Sequence, residues 1–182
     1  MSKTTAAFLI CLTILVVPTN VWSKGEAAKI EITADSLGSP IEITDPDIIR
    51  KFNIWNGPGV GTSSHGVPNP PAYLDPNKIG GRFIDWPKGT VEHLPDDLKG
   101  YDVKFHIAGR RSQGDIVGTY IVVYSFNPSF PHGFMYLPDV QDGAANTSFI
   151  YHGVEGAWFY SSAAWENLVP PIIDAANKES VY

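Results

Sequence analysis

Aromatic rings and polar side chains able to recognise a ligand are concentrated in residues 53–100. This segment holds seven prolines and eight glycines, yet it also contains bulky aromatic rings. Flat aromatic faces beside amide, carboxylate and guanidinium groups are typical of sites that bind a carbohydrate or a peptide. The segment therefore predicts a site for a glycan or a partner protein; the alternative is that the rings anchor an irregular loop to the core. The candidate binding residues are Trp55, Tyr73, Arg82 and Trp86.

A hydrolytic site is the competing hypothesis from a different functional class. Its acid and base would come from the same segment, where His65 and Asp85 are the candidates. The nucleophile-elbow pattern Gly-x-Ser-x-Gly and the Ser-x-x-Lys pattern are both absent from the chain. Catalytic triads are assembled in space and need no sequence motif, so the hydrolase hypothesis stays open. We expect a non-catalytic protein, with a small hydrolase as the alternative.

The sequence predicts neither a cofactor nor a metal site. Histidine precedes glycine at positions 65, 132 and 152, but no histidine spacing is typical of a metal centre. The glycine-rich run 57–61 lacks the lysine that completes a phosphate-binding loop. The only cysteine, Cys11, falls inside the predicted leader described next, so we expect no disulfide and no cysteine-ligated metal in the mature chain.

Residues 1–23 have the layout of a secretory signal peptide. Lys3 provides a positive charge, and residues 6–17 form an uncharged apolar run that Pro18 ends. The run is shorter than the roughly 20 apolar residues that span a bilayer. We therefore expect cleavage after Ser23 and export to the periplasm or the cell exterior, with no membrane span left afterwards.

Composition indicates one folded domain after the leader. The chain has 182 residues, of which 12% are aromatic and 43% are hydrophobic when Ala, Tyr and Cys are counted with the aliphatic residues, Met, Phe and Trp. This composition is typical of a chain with a single compact core and not of a disordered chain. A formal net charge of −6 argues against a nucleic-acid partner. We take residues 24–182 as a single β-rich domain that contains the Pro/Gly-rich loop region 53–100.

Short alternating segments separated by turn residues predict a mainly β fold. Asp45 followed by Pro46 predicts the start of a short helix that extends through Phe52. Residues 162–176 have helical composition interrupted by two prolines, which predicts two helical pieces. We expect an antiparallel β-sandwich or a partly open barrel, with 116–126 as the central strand. The predicted strands are 29–33, 41–44, 81–85, 101–108, 116–126, 134–137, 148–151 and 157–160.

Two stretches resemble parts of small secreted bacterial proteins of unassigned function. Residues 150–159, followed by Ala164 and Trp165, are similar to the C-terminal part of those proteins. Residues 40–46 are similar to their N-terminal part. The resemblance implies a bacterial exported domain and carries no activity, substrate or catalytic residue. From the aromatic segment 53–100, we expect a non-catalytic binding module of the cell envelope, with a structural envelope component as a further alternative.

Overall fold

The computed structural model describes residues 26–52, 54, 83–109, 114–139, 142 and 155–179. The signal peptide expected at 1–23, the strand expected at 148–151 and nearly all of 53–82 lie outside this part of the chain.

The described strands form one antiparallel sheet, so the predicted mainly β, antiparallel class is confirmed. The spatial order of the seven strands is β2-β1-β4-β5-β6-β7-β3, and none of the described strands forms a second, facing sheet. A short 3₁₀ turn at Trp86–Lys88 precedes β3. The elements are β1 (Glu26–Thr33), β2 (Ile41–Ile43), α1 (Pro46–Ile49), β3 (Thr90–Val91), β4 (Lys99–Ala108), β5 (Ile116–Phe126), β6 (Phe134–Leu137), β7 (Ala157–Tyr160), α2 (Ala163–Glu166) and α3 (Val169–Glu179).

Strands β4 and β5 form a long hairpin at the centre of the sheet. Their register pairs Tyr101 with Tyr124 and Phe105 with Tyr120, and all four side chains are buried on one face. Side chains alternate between the two faces of a strand, so Ile121 lies on the opposite, half-buried face. Strand β5 is the fourth of seven, which confirms the central position predicted for 116–126.

The N-terminal hairpin and the helix after it follow the local sequence signals. Strands β1 and β2 pair antiparallel, as their alternating pattern predicted. The Asp45 carboxylate accepts a hydrogen bond from the Asp47 backbone N–H at 2.8 Å, and Pro46 takes the first helical position. Helix α1 ends at Ile49, earlier than predicted, although Phe52 still packs into the core.

Helical segments cover the apolar face of the sheet, and Trp165 of α2 is their central contact. Its ring is fully buried, with centroids 5.1 Å from Phe52, 6.3 Å from Phe83 and 5.8 Å from Tyr124. Removing a buried ring of this size typically costs about 3–5 kcal/mol. Trp165 therefore contributes strongly to holding the helices against the sheet.

The two C-terminal helical pieces are confirmed, and the prolines begin the second one. Pro170 and Pro171 lie in the first turn of α3, where the backbone N–H has no helical partner to lose. None of the described helices is long and apolar enough to cross a membrane.

The strand predicted at 81–85 is described only at 83–85, and within those three residues a single bridge forms. Ile84 pairs with Ser161, and the chain then enters the 3₁₀ turn through Trp86 and Pro87. Proline has no N–H to donate to a sheet, so the ladder stops here.

Candidate functional site: the aromatic face of the sheet

Two of the six residues that the sequence singled out fall in the described part of the chain. Trp86 is 7% exposed, and its ring packs edge-on against Phe159 with centroids 5.0 Å apart. The Asp85 carboxylate lies 3.3 Å from the Lys88 ammonium nitrogen. The Trp86 ring is thus part of the core. Trp55, His65, Tyr73 and Arg82 lie outside the described residues, and their roles stay predictions.

Aromatic rings also cover the opposite face of strands β6 and β7. The register pairs Tyr136 with Trp158 and Phe134 with Tyr160, which places these four side chains on the face away from Trp165. Tyr136, Trp158 and Tyr160 are each partly exposed, whereas Phe134 is buried. We call these four residues the aromatic face.

The rings of the aromatic face form two side-by-side pairs. The Tyr136 and Trp158 centroids are 5.0 Å apart with planes inclined at 35°, and those of Phe134 and Tyr160 are 5.5 Å apart at 43°. Ring faces carry partial negative charge and attract C–H groups and cations. The three partly exposed rings of these pairs therefore offer an apolar surface suited to a flat or cationic ligand.

A lysine of the chain itself occupies one end of the aromatic face. The Lys88 ammonium nitrogen lies 5.2 Å from the centroid of the Tyr160 ring, within the range of a cation–π contact. Asp85 supplies the counter-charge to Lys88, and the Asp85 backbone N–H donates to the Tyr160 carbonyl oxygen at 2.9 Å. The His132 ring stands edge-on to Tyr160 with centroids 6.2 Å apart.

A carboxylate lies at the other end, beside Tyr136. The Tyr136 hydroxyl donates to Asp142 Oδ2 at 2.9 Å, and the Asp139 backbone N–H donates to the same oxygen at 2.7 Å. These hydrogen bonds hold the pKa of Asp142 below its usual value. Burial, together with the hydrogen bond to Asp142, raises the pKa of Tyr136 to about 12. Asp142 is therefore a negative charge, and Tyr136 a neutral donor, across the physiological pH range.

The charged half of the same sheet face is neutralised by its own residues. Glu31 lies 3.1 Å from Lys29, 3.3 Å from Lys104 and 3.4 Å from the His106 ring nitrogen. Lys29 also pairs with Glu42 at 2.6 Å. Because each charge here has an opposite partner, this cluster is better suited to joining β1, β2 and β4 than to binding a ligand.

A serine and a carboxylate meet on the buried side, where substrate access is poor. Ser161 Oγ contacts Glu166 and lies 2.8 Å from the Gly133 carbonyl oxygen, and Ser161 is 1% exposed. The Tyr124 hydroxyl donates to the same Glu166 oxygen at 2.9 Å. Burial and the nearby Glu166 raise the pKa of Tyr124 well above its usual value. These bonds join α2 to the sheet, and Ser161 is too deeply buried to act as a nucleophile.

Sequence reasoning predicted the strands that carry the aromatic face but not the face itself. The segments 134–137 and 157–160 were both predicted as strands, and these ranges are confirmed. Alternation alone shows that Tyr136 and Trp158 each point to one side of their own strand. Only the β6–β7 pairing shows that they share a side, and no local signal revealed that pairing.

The described residues contain no group of three or more histidine, cysteine, aspartate or glutamate side chains that could hold a metal ion. Comparison of the chain with models of protein families, with curated proteins and with solved structures finds no match.

Proposed function

We propose that the protein is a non-catalytic binding module of the cell envelope and that its aromatic face recognises a glycan. The observation that carries this proposal is the partly exposed pair of Tyr136 and Trp158 beside the Asp142 carboxylate. The apolar side of a pyranose ring carries C–H groups that suit an aromatic face, and a neighbouring carboxylate accepts hydrogen bonds from sugar hydroxyls.

Several features favour binding over hydrolysis. Asp85, one half of the predicted acid–base pair, forms an ion pair with Lys88 and lies directly before the 3₁₀ turn. Ser161, the serine that contacts a carboxylate, is buried beneath the sheet. The aromatic face consists of partly exposed rings beside the Asp142 carboxylate, groups that can orient a ligand by stacking and hydrogen bonding.

Export to the periplasm or beyond is part of the proposal. The support is the signal-peptide layout of residues 1–23. Mass spectrometry of the protein recovered from producing cells should find Lys24 as its first residue. Recovery of the soluble protein with an intact Met1 would contradict export.

Matching substitutions on the two faces of the sheet test the binding role. Trp158→Leu keeps apolar bulk but removes the flat ring, so we expect at least tenfold weaker retention on immobilised envelope glycans and a stability loss of about 1 kcal/mol. Trp86→Leu makes the same change in the core, so we expect a loss of about 2–4 kcal/mol with retention unchanged in the folded fraction. Glycan arrays and thermal melting measure both effects. Equal retention by wild type and Trp158→Leu would refute the proposed site.

A further inference from the structure

One end of the aromatic face shows what a complete cation site on this surface contains. Lys88 lies over the Tyr160 ring at 5.2 Å and within 3.3 Å of the Asp85 carboxylate. The three parts are an ammonium group, an aromatic face and a carboxylate. An ammonium held between a ring and a carboxylate is stabilised by both, because the ring face and the carboxylate each carry negative charge toward it.

The Tyr136 end of the aromatic face has two of these three parts, an aromatic face and a carboxylate. Tyr136 and Trp158, two positions away from Phe134 and Tyr160 on β6 and β7, provide the aromatic surface, and the exposed Asp142 lies beside Tyr136. Asp142 Oδ2 receives hydrogen bonds from the Tyr136 hydroxyl and the Asp139 N–H. Among the described residues, no lysine or arginine forms an ion pair with Asp142, in contrast to Asp85 at the Tyr160 end.

The charge of the surrounding chain favours a cationic ligand. Between Arg111 and Lys178 there is no lysine or arginine, whereas six acidic residues occur. Strands β5, β6 and β7 all fall within this stretch. A local excess of negative charge attracts cations and disfavours anionic polymers.

We propose that Tyr136, Trp158 and Asp142 bind an amino sugar through its free ammonium group. The inference rests on the proposed glycan-binding role of the aromatic face and specifies the chemical class of the glycan. The sugar ring stacks on Trp158, and its ammonium group takes beside Asp142 the place that Lys88 takes beside Asp85. An N-acetylated sugar has the same ring but no charge, and it therefore binds more weakly.

Two oligosaccharides of equal length that differ only in N-acetylation test the charge requirement. A glucosamine tetramer and an N-acetylglucosamine tetramer are each titrated into the protein, with calorimetry and the ¹⁵N NMR signal of the Trp158 indole as readouts. We expect the glucosamine tetramer to bind at least tenfold tighter, and added NaCl to weaken only that complex.

Variants locate the effect at Asp142. Asp142→Asn should reduce the difference between the two tetramers to less than threefold. Asp35→Asn removes a carboxylate from an exposed turn after β1 and should leave the difference intact. Tyr136→Phe keeps the ring but removes the hydroxyl that holds Asp142, and it should have an intermediate effect.

The possible outcomes separate this inference from the proposed function. Equal binding of the two tetramers at Trp158 would overturn the ammonium inference and leave glycan binding standing. Failure of both tetramers, and of a panel of other envelope glycans, to perturb Trp158 would overturn both proposals. A lysine tripeptide that binds Trp158 tenfold tighter than the glucosamine tetramer would replace the amino sugar by a basic protein partner.

Discussion

Gly133 lies where the ring of Tyr124 occupies the space of a side chain. A Cβ atom at position 133 would fall 2.4 Å from Tyr124 Cε2, and Tyr124 is fully buried. Neither residue can move without disturbing the hydrogen bonds that Gly133 and Tyr124 make with Ser161 and Glu166. Glycine is therefore required at this position by packing.

Gly133→Ala should destabilise the protein by about 1–3 kcal/mol, because the added methyl group must displace a buried ring. Gly100→Ala is the matched control, since its Cβ would meet only Ser125 Oγ at an ordinary 3.8 Å. We expect this control to be neutral or slightly stabilising, because alanine loses less backbone entropy than glycine on folding. Urea unfolding measures both variants, and equal stability of the two would contradict the packing argument.

Individual side chains also show why the candidate site was only partly accessible from sequence. Trp86 and Trp158 have the same chemistry, yet one ring packs on Phe159 in the core and the other lies partly exposed on the opposite face. Trp86 lies in the 3₁₀ turn and packs on the core side of β7, whereas Trp158 is on β7 itself and belongs to the opposite side. Residue type alone cannot distinguish these environments, whereas pairing across the sheet can.

At the scale of elements, local sequence signals were sufficient to predict the positions of helices and strands. They were not sufficient to predict which strands pair with each other. The Asp45 cap predicted the start of α1, and the alternation in β4 predicted which residues are buried, because both depend on neighbours within a few positions. Strand β3 pairs with β7, more than sixty residues later in the chain. Nothing in either segment identifies its partner, and the same holds for the β6–β7 pairing on which the aromatic face is built, so that face could not be foreseen.

The charged cluster across β1 and β4 makes stability depend on pH. Burial alone would raise the pKa of Glu31, but hydrogen bonds from Lys29 and Lys104 outweigh burial and lower the pKa below its ordinary 4.5. A carboxyl whose pKa is depressed by folding stabilises the protein above the unfolded-state pKa. That contribution is lost as the pH falls below about 4.5 through the lower pKa of the folded state.

Glu31→Gln should therefore reduce stability at pH 7 by up to about 1 kcal/mol, in keeping with a partly exposed ion pair. The difference from wild type should shrink as the pH falls from 5 to 3, because wild type then loses the same charge. Glu26→Gln, at the exposed start of β1, is the control and should show no such convergence. Urea midpoints across this pH range measure the effect, and a constant difference would contradict it.

At the scale of the whole molecule, the sheet divides its two faces between different tasks. The face toward Trp165 forms the core with the helices, while the other face is charged at β1 and β4 and aromatic at β6 and β7. The charged half is paired internally, whereas the aromatic half keeps partly exposed rings beside carboxylates. The proposed glycan recognition therefore involves only the aromatic end of this face, and the core lies on the other side of the sheet.

The position of β1 inside the sheet predicts that the domain needs this strand in order to fold. Strand β1 lies between β2 and β4, and it buries Ile30 and Ile32 completely.

A chain of residues 24–182 keeps every described element, so we expect it to show a β-type circular dichroism spectrum and to melt cooperatively. A chain of residues 34–182 loses two isoleucines worth about 1.5–3 kcal/mol each, together with the strand that joins β2 to the sheet. Since a domain of this size is stable by only about 5–15 kcal/mol, we expect the shorter chain to unfold or to melt at a much lower temperature. Similar melting temperatures for the two chains would show that β1 is dispensable and would contradict this sheet order.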